Sequence, residues 1–408
     1  MKTFFEVTDL DKVYGHISDF PQVETEAISL WESFGRVLAQ DIVSDVDLPD
    51  FARATMDGYA VCAASTFGAS EGNPAYLDIR GTVKMGQAPT FSVGPGEAAH
   101  IATGGMLPEG SDSVMMIEHT AAIDDTTIEV YKSVAPGQHC IEIGQDFRKD
   151  ATILSKGQGL RPQETGLLAA FGYSKISVFR KPVVGIVSTG DEVVSIEETL
   201  PSGKIRDINT YTLAGQVCAS GGIPVSYGIV GDDYDSLLSK CSLAVSNSDM
   251  VLVSGGSSVG MRDLTVEVLD ALSDARILFH GIPISPGKPT ILAKVQNKAF
   301  WGIPGHVVSA MVVFARIVKP FMTHMGGRQI EMPEPRVFAR LTRNLPSAQG
   351  RVDYVRVKLT QRDKEWWAEP VLGKSALINT MVKADGLVEI DINSEGLDQG
   401  TEVEIIPF

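Results

Sequence analysis

The sequence predicts a multidomain α/β plus β protein, in which a central doubly wound α/β domain is flanked by β-rich segments. Three observations predict this fold class. Between residues 181 and 326, continuous apolar runs alternate with helical patterns, which is typical of parallel strands joined by helices. On either side, short alternating runs are separated by glycine and proline, as in antiparallel sheets. The length of 408 residues also exceeds one ordinary hydrophobic core, so two to four domains are expected.

These patterns divide the chain into four predicted domains. They are an N-terminal domain (1–50 and 142–180), an inserted β-rich domain (51–141), the α/β domain (181–326) and a small C-terminal β domain (327–408). Within the N-terminal domain, apolar residues at helical spacing predict one helix at about 25–40 and another at 161–172.

The elements of the α/β domain follow from its apolar patterns. The predicted strands are 183–187, 225–230 and 250–253, with further strands near residues 291 and 300. The predicted helices are 210–220, 234–246, one that begins at Asp263, and one from 304 to about 322. Because parallel strands end at one edge of a sheet, the polar loops that follow them are expected to lie together there.

Composition and charge exclude several classes of protein. The net charge of −16 argues against nucleic-acid binding, which needs a basic surface. No run approaches the roughly 18 apolar residues of a membrane span, and the N-terminus meets acidic residues too early for a signal peptide. The four cysteines are scattered, so reduced, buried thiols are expected rather than a zinc site or a disulfide framework. We therefore expect a cytoplasmic protein.

A glycine- and serine-rich loop is the most informative stretch of the chain. The loop Ser254-Gly-Gly-Ser-Ser-Val-Gly260 follows an apolar strand and precedes a helix. Glycine allows backbone N–H groups to approach a ligand, and the start of a helix favours anions. The loop therefore predicts a phosphate or oxyanion site at the carboxyl end of a strand.

Three of the strand-end loops carry acids, namely Asp191-Glu192, Asp232-Asp233 and Asp263. Carboxylates gathered at one sheet edge repel each other unless a cation or hydrogen-bond donors lie between them, and Mg²⁺ prefers carboxylate oxygens. Alternatively, each acid caps the helix that it precedes, which requires no metal. The residues alone leave both interpretations open.

Three other positions suggest contact with a ligand. Lys288 stands between prolines in segment 286–289, where a fixed charge suits an oxyanion, although a solvated lysine fits the same pattern. His306 lies at the start of the last helix, where the helix dipole favours a neutral ring with one hydrogen bond. The Thr103-Gly104 turn offers a hydroxyl and bare backbone, or is simply a β-turn. These residues indicate a nucleotide- or oxyanion-binding enzyme that uses a divalent cation.

Taken in order, the motifs resemble those of the molybdopterin molybdenumtransferase family, which includes the bacterial MoeA proteins and the gephyrin E domain. The resemblance covers nearly the whole chain. Its motifs are Met56-Asp-Gly-Tyr-Ala60, Thr103-Gly104 with Pro108-Glu-Gly110, Gly144-Gln-Asp146, Ser188-Thr-Gly-Asp-Glu192, Gly228-Ile-Val-Gly-Asp-Asp233, Ser254–Gly260 with Asp263, Pro286-Gly-Lys-Pro289, Gly302-Ile-Pro-Gly305, Gly350-Arg351, Tyr354 with Arg356, and Ser375 before Ala384-Asp-Gly386.

The resemblance implies an α/β domain of the molybdopterin-binding type and an elongated homodimer of four-domain subunits, in which residues 1–50 and 142–180 form the elongated N-terminal domain. The implied chemistry is hydrolysis of adenylylated molybdopterin, insertion of molybdate into its dithiolene and release of AMP. A molybdopterin adenylyltransferase is an implied partner.

The resemblance also implies roles for individual residues. Glu192, Asp232 and Asp263 would hold Mg²⁺ and the phosphates, and Lys288 would offset the charge of molybdate. Further catalytic residues, some from the partner subunit, would be Asp57, Thr103 and Asp146. The implied substrate-binding residues are Ser188, Thr189, Gly190, Ser254, Gly255, Gly256, Ser257, Ser258, Pro286, Gly287, Pro304, Gly305, Arg351 and Ser375.

The chain departs from the family pattern in four of its motifs, at five positions. His306-Val307 stands where the family usually has Asn-Pro, Ser285 where it has a lysine, Ala54 where serine is common, and His100 where arginine is frequent. Loss of a cation beside Lys288 removes one partner of an oxyanion. A non-catalytic scaffolding paralogue, a tungstate-inserting enzyme and an adenylyltransferase relative are therefore kept as alternatives.

Overall fold

The computed structural model of the chain describes residues 7–255, 259–329 and 335–408, with side chains except at 259–263. The chain divides into two compact units. One comprises Met1–Gln40, Lys156–Gly166 and Tyr173–Phe408, and the other comprises Asp41–Ser155 and Leu167–Gly172. The first unit holds both the α/β region and the C-terminal β region, so the four predicted domains remain a prediction about finer divisions.

The α/β region is built on a six-stranded sheet. Its strands are β1 (Val183–Thr189), β2 (Ile223–Val230), β3 (Met250–Ser254), β4 (Ala275–His280), β5 (Ile291–Val295) and β6 (Lys298–Ile303), in the spatial order β2-β1-β3-β6-β5-β4. The first four strands of this order are parallel, as predicted. Their carboxyl ends therefore meet at one edge of the sheet.

The prediction of a wholly parallel sheet is wrong at the other edge. Strands β4, β5 and β6 pair antiparallel. The cause is the connection between β5 and β6, where Gln296 and Asn297 both have positive φ (49° and 65°). A two-residue turn of this kind can join only antiparallel neighbours, because a parallel pair needs a long crossover.

The helices of this region lie close to their predicted bounds. They are α1 (Asn209–Ala219), α2 (Tyr234–Asn247), α3 (Val259–Ala271), α4 (Val307–Val313) and α5 (Lys319–Met325), and a π-helical turn at Phe314–Val318 joins the last two. Helix α3 begins four residues before the predicted start at Asp263.

The continuous helix Val307–Met325 is long and apolar enough to cross a membrane by length and composition alone. However, 61% of its apolar window is buried within the protein. Trp301 of β6 is fully buried, and its ring packs edge-on against Phe321 of α5 with 5.0 Å between centroids. These contacts are those of a core helix in a folded domain.

An ion pair fixes the starts of β1 and β3. Arg180 donates from Nη1 and Nη2 to Asp249 Oδ2 (2.5 Å) and Oδ1 (2.7 Å), and Asp249 Oδ2 also accepts from the backbone N–H of Val183 (2.7 Å). Burial acts to raise the pKa of Asp249, but the Arg180 guanidinium and the Val183 N–H outweigh it, so the net pKa is lowered.

Asp249→Asn is therefore expected to lower the free energy of unfolding by about 2–4 kcal/mol near neutral pH, because it leaves the Arg180 charge without its half-buried partner. Glu24→Gln is the matched control, since Glu24 pairs with the same arginine (2.6 Å) but is 78% exposed; its expected cost is below about 1 kcal/mol. Urea denaturation measures both. A carboxyl group whose pKa is lowered in the folded protein stabilises the fold at pH values above its unfolded pKa of 3.8. The loss of unfolding free energy in Asp249→Asn should therefore become smaller as the pH falls below that value. Equal losses in the two variants would contradict this assignment.

The remainder of the first unit is β-rich at both ends of the chain. Near the N-terminus, helix Leu10–Gly15 precedes a three-stranded sheet formed by Thr25–Ser29, Val37–Leu38 and Lys175–Phe179. The predicted helix at 25–40 is wrong, because Ala27 and Ile28 pair with Ser177 and Ile176 in this sheet.

The C-terminal sheet consists of Ile284–Ser285, Val337–Leu341, Val352–Arg362, Glu365–Pro370, Gly386–Ile390 and Glu402–Pro407, accompanied by the short helix Asn379–Val382. Two further strand pairs are Val193–Val194 with Ile205–Arg206, and Leu345–Pro346 with Gly396–Leu397.

The second unit is a β structure, as predicted for its inserted segment. Its six-stranded sheet comprises Gly58–Val61, Ala75–Thr82, Glu97–Ile101, Ser113–Met116, Thr120–Ala122 and Thr127–Val130. Two short pairs accompany it, Arg53–Ala54 with Cys140–Ile141 and Ile42–Val43 with Thr152–Leu154. Helix Pro162–Ala170, whose residues are divided between the two units, confirms the helix predicted at 161–172. All four cysteines are free thiols, but the prediction that they are buried holds only for Cys241.

Candidate active site

A cavity of about 250 Å³ lies at the carboxyl ends of β1, β3 and β6, and we call it the strand-end cavity. Register places Ser188 beside Ser254, and Ser254 beside Ile303, so the ends of the three strands are level. The predicted residues that line the cavity are Ser188, Thr189, Glu192, Ser254, Gly255, Gly305 and His306. Gly190 follows the lining residue Thr189 and Pro304 precedes the lining residue Gly305, but neither lines the cavity itself. Gly256, Ser257 and Ser258 lie outside the described residues.

Buried hydroxyl groups form part of the wall of the strand-end cavity. Ser188, Thr189 and Ser254 are 2%, 4% and 1% exposed. The Oγ of Ser254 has no hydrogen-bond partner among the described residues. A buried hydroxyl without a partner is costly, and so a ligand that supplies the missing hydrogen bond would be stabilised here.

The approach of β3 to β1 requires glycine at residue 255. Gly255 has φ +153°, and a Cβ built there would lie 1.9 Å from Thr189 Oγ1 and 2.5 Å from the Thr189 carbonyl oxygen. No side chain fits at those distances. The first glycine of the predicted loop therefore serves a close contact between two strand ends.

An acidic cluster lies beside this cavity. The backbone N–H of Asp232 donates to Asp191 Oδ1 (2.9 Å). The pKa of Asp232 is raised, because partial desolvation and the neighbouring Asp191 and Glu192 carboxylates disfavour its charged form. A cation between these groups would relieve the repulsion.

The neighbouring Asp233 has a different role. Its Oδ2 accepts from the backbone N–H of Ser236 (2.9 Å) and caps α2, and hydrogen bonds from Ser236 lower its pKa. The capping interpretation is thus correct for Asp233, and the charge repulsion is located at Asp232. Within the described side chains, no three acids, histidines or cysteines form a metal-binding group. The side chain of Asp263, the third predicted metal ligand, lies outside the described residues.

A second cavity, of about 520 Å³, contains the predicted oxyanion residues, and we call it the Lys288 cavity. Its lining includes Ser285, Pro286, Gly287, Lys288, Arg351 and Ser375. Arg351 is also paired with Asp353, with Nε 3.1 Å from Oδ1. The lining therefore carries two cations, and the Asp353 carboxylate partly offsets the charge of Arg351.

A hydrogen bond connects the linings of the two cavities. Nδ1 of His306, which lines the strand-end cavity, lies 2.8 Å from Oγ of Ser375, which lines the Lys288 cavity. The backbone N–H of Val308 also donates to the Ser375 carbonyl oxygen (3.0 Å). The predicted hydrogen bond of His306 is confirmed, and its partner is a residue almost seventy positions away in sequence.

The second unit holds the other three predicted catalytic residues. Asp57 Oδ1 accepts from both the backbone N–H (2.7 Å) and the hydroxyl (2.8 Å) of Thr103, and these bonds lower the pKa of Asp57. Asp146 lines a separate cavity of about 500 Å³ together with Arg53. The participation of these residues in the chemistry of the first unit remains a prediction.

Several residues that line the strand-end cavity were not anticipated from the sequence, and the polar ones among them are Arg206, Asp207 and Asn209. Asp207 Oδ1 accepts from the Thr210 N–H (3.1 Å), and Asn209 Nδ2 donates to the Gly305 carbonyl oxygen (2.8 Å). An acid just before a helix looks like an ordinary cap in the sequence, so only the fold reveals that this cap lines a cavity.

The chain matches three regions described in known proteins. Residues 8–172 match the MoeA N-terminal region (domain I and II), residues 185–324 match a probable molybdopterin binding domain, and residues 339–408 match the MoeA C-terminal region (domain IV). Together these regions cover most of the sequence.

Individual proteins are similar over almost their whole length. A putative molybdopterin biosynthesis protein of Methanocaldococcus jannaschii is 36% identical, covering 94% of this chain and 92% of the relative. The molybdopterin molybdenumtransferase of Bacillus subtilis is 31% identical, with coverages of 94% and 90%. The crystal structure of a molybdopterin biosynthesis MoeA protein from Pyrococcus horikoshii has a TM-score of 0.85 at 31% identity, with coverages of 99% and 100%. The chain therefore belongs to the MoeA family of molybdopterin molybdenumtransferases.

Proposed function

We propose that this protein is a molybdopterin molybdenumtransferase that hydrolyses adenylylated molybdopterin in a Mg²⁺-dependent reaction, inserts molybdate into the dithiolene and releases AMP. The observation that carries the proposal is the pairing of two unlike cavities. The strand-end cavity is lined by hydroxyls, two acids and one cation, Arg206, whereas the charged side chains that line the Lys288 cavity in the described part of the chain are both cations. The His306–Ser375 hydrogen bond connects them, so an organic substrate and an oxyanion have neighbouring sites of suitable chemistry.

The acidic cluster supports a role for Mg²⁺. Carboxylate oxygens are the ligands that Mg²⁺ prefers, and the pKa of Asp232 is raised by desolvation and by the nearby Asp191 and Glu192 carboxylates, which a cation would offset. Glu192 and Asp232, together with Asp263, would hold the ion. When bound, Mg²⁺ would neutralise the phosphoanhydride charge.

The residues of the chain would divide the remaining work. The N–H groups of the loop that begins at Gly255 would orient the phosphates, as the close packing of that glycine against Thr189 supports. Lys288 and Arg351 would hold molybdate in the Lys288 cavity, because both cations stabilise an oxyanion. Ser285 supplies a hydroxyl rather than a charge at this position, so Lys288 would carry more of the electrostatic attraction.

Assembly and location form part of the same proposal. Two relatives are named as a putative molybdopterin biosynthesis protein and a molybdopterin molybdenumtransferase, and we infer a cytoplasmic homodimer that receives its substrate from a molybdopterin adenylyltransferase. Asp57, Thr103 and Asp146 would act in catalysis, with some of these residues supplied by the partner subunit.

The decisive experiment incubates the protein with adenylylated molybdopterin, Mg²⁺ and molybdate and measures AMP. We expect AMP release that requires both Mg²⁺ and an oxyanion. Parallel reactions with tungstate identify the preferred oxyanion, and a reaction with molybdopterin and ATP tests adenylyltransferase activity. Binding of the adenylate without any AMP release would reject catalysis and favour a scaffolding protein.

Lys288→Ala is expected to raise the apparent KM for molybdate at least about tenfold, because removing one charged contact to an oxyanion costs roughly 1.5–3 kcal/mol. Lys240→Ala is the control, since Lys240 is an exposed lysine on α2 that lines neither cavity. AMP release measured across a molybdate titration separates KM from kcat. An unchanged KM in Lys288→Ala would remove this lysine from the oxyanion site.

A further inference from the structure

Asp207 gives one part of the strand-end cavity a strong hydrogen-bond acceptor. The residue is only 6% exposed, yet it lines the cavity. One of its oxygens caps α1 through the Thr210 N–H. In the described part of the chain, no lysine or arginine is paired with this carboxylate. A nearly buried carboxylate needs more donors than a single backbone N–H.

The neighbouring groups also favour a ligand that donates hydrogen bonds. Asn209 uses its amide nitrogen on Gly305, which leaves its carbonyl oxygen as an acceptor. Ser254 Oγ, 1% exposed, lines the same cavity without a partner in the described residues. The wall thus combines a carboxylate, an amide oxygen and an unpartnered hydroxyl. A bare phosphate is poorly suited to the Asp207 part of the cavity, because two like charges would face each other.

We propose that Asp207 recognises the 2-amino-4-oxopyrimidine edge of a pterin. That edge presents two parallel N–H donors, N3–H and the 2-amino group, which match the two oxygens of a carboxylate. The inference rests on the proposed function, which supplies a pterin as substrate, and it assigns the ring to the Asp207 part of the cavity. A cavity of about 250 Å³ suits one bicyclic ring rather than an entire dinucleotide-sized substrate.

The competing ring, adenine, matches this wall less well. The Watson–Crick edge of adenine presents one donor, the 6-amino group, beside one acceptor, N1. A carboxylate would therefore gain one hydrogen bond there, and its second oxygen would face the lone pair of N1. A site built around paired donors rejects an analogue that lacks one of them, because the buried acceptor is then left unpaired. This asymmetry makes the inference testable with small probes.

The test uses the full-length protein and two fluorescent probes, 6-carboxypterin and 6-carboxylumazine. The second probe carries an oxygen in place of the 2-amino group. We expect the wild-type protein to bind 6-carboxypterin at least about tenfold more tightly than 6-carboxylumazine. Asp207→Asn should abolish this preference while keeping an oxygen for the Thr210 N–H, so that the cap and the fold survive. Asp233→Asn, a cap on α2 that does not line the cavity, should leave the preference intact.

Two results would overturn the inference. The first is that the wild-type protein does not bind 6-carboxypterin, or that it binds both probes equally. This result is obtained with the wild-type protein alone. The other is an Asp207→Asn protein that retains the wild-type preference, provided that its thermal unfolding transition shows it to be folded. AMP release is measured separately. A protein with the pterin preference but without AMP release would reject the proposed function alone, whereas AMP release without the preference would reject only the role of Asp207.

Discussion

Replacing Gly255 with alanine is expected to lower the free energy of unfolding by about 2–6 kcal/mol and to disrupt the strand-end cavity. The added Cβ would lie 1.9 Å from Thr189 Oγ1 and 2.5 Å from the Thr189 carbonyl oxygen. The hydroxyl can rotate away, but the carbonyl belongs to β1 in the middle of the parallel strands. Overpacking of about 1–3 kcal/mol therefore adds to backbone strain of about 1–3 kcal/mol at φ +153°.

Gly228→Ala separates the two contributions. Gly228 lies on β2 and also has a positive φ of 87°, but a Cβ built there meets no atom within 4 Å. This variant should suffer only the backbone strain, at about 1–2 kcal/mol. Urea denaturation of both proteins gives the difference that is due to contact with Thr189. If Gly255→Ala is no less stable than Gly228→Ala, β1 and β3 do not approach as closely as described.

The strand-end edge was predictable because its signals are local. Each apolar run, such as 250–253, is followed at once by small or acidic residues, and parallel topology then brings those loops together. The contact of Gly255 with Thr189, and that of His306 with Ser375, join residues far apart in sequence. No periodic pattern encodes such pairs, so only the fold reveals them.

The errors also have physical causes. Residues 25–40 have apolar spacing that suits either a helix or two short strands around a turn, and pairing with Lys175–Phe179 stabilises the strands. The antiparallel edge of the central sheet depends on a two-residue turn with positive φ at Gln296 and Asn297, neither of which is glycine. Asp207 has the sequence features of a helix cap, and that cap hides its place in the cavity.

Asp232→Asn is expected to reduce AMP release at least about 100-fold without destabilising the protein. The carboxylate would contribute to holding Mg²⁺, and the loss of one metal ligand removes charge neutralisation where the phosphoanhydride breaks. In the absence of metal, the same charge is unfavourable, since desolvation, Asp191 and Glu192 raise the pKa of Asp232. A carboxyl group with a raised pKa destabilises the fold above that pKa, so the neutral asparagine should leave Tm unchanged or slightly higher at pH 7.

The control for this prediction is one residue away. Asp233→Asn changes the acid that caps α2, with an oxygen retained for the Ser236 N–H, so its AMP release should match the wild-type rate. Thermal unfolding with and without Mg²⁺ provides a second measurement. Mg²⁺ should raise Tm for the wild type and for Asp233→Asn, but not for Asp232→Asn.

Protons compete with the metal for a carboxylate of raised pKa. The increase in the Tm of the wild type that Mg²⁺ causes should therefore become smaller as pH falls toward that pKa. Equal Mg²⁺ stabilisation of both variants would locate the metal away from Asp232, and the proposed ligand set would then be wrong.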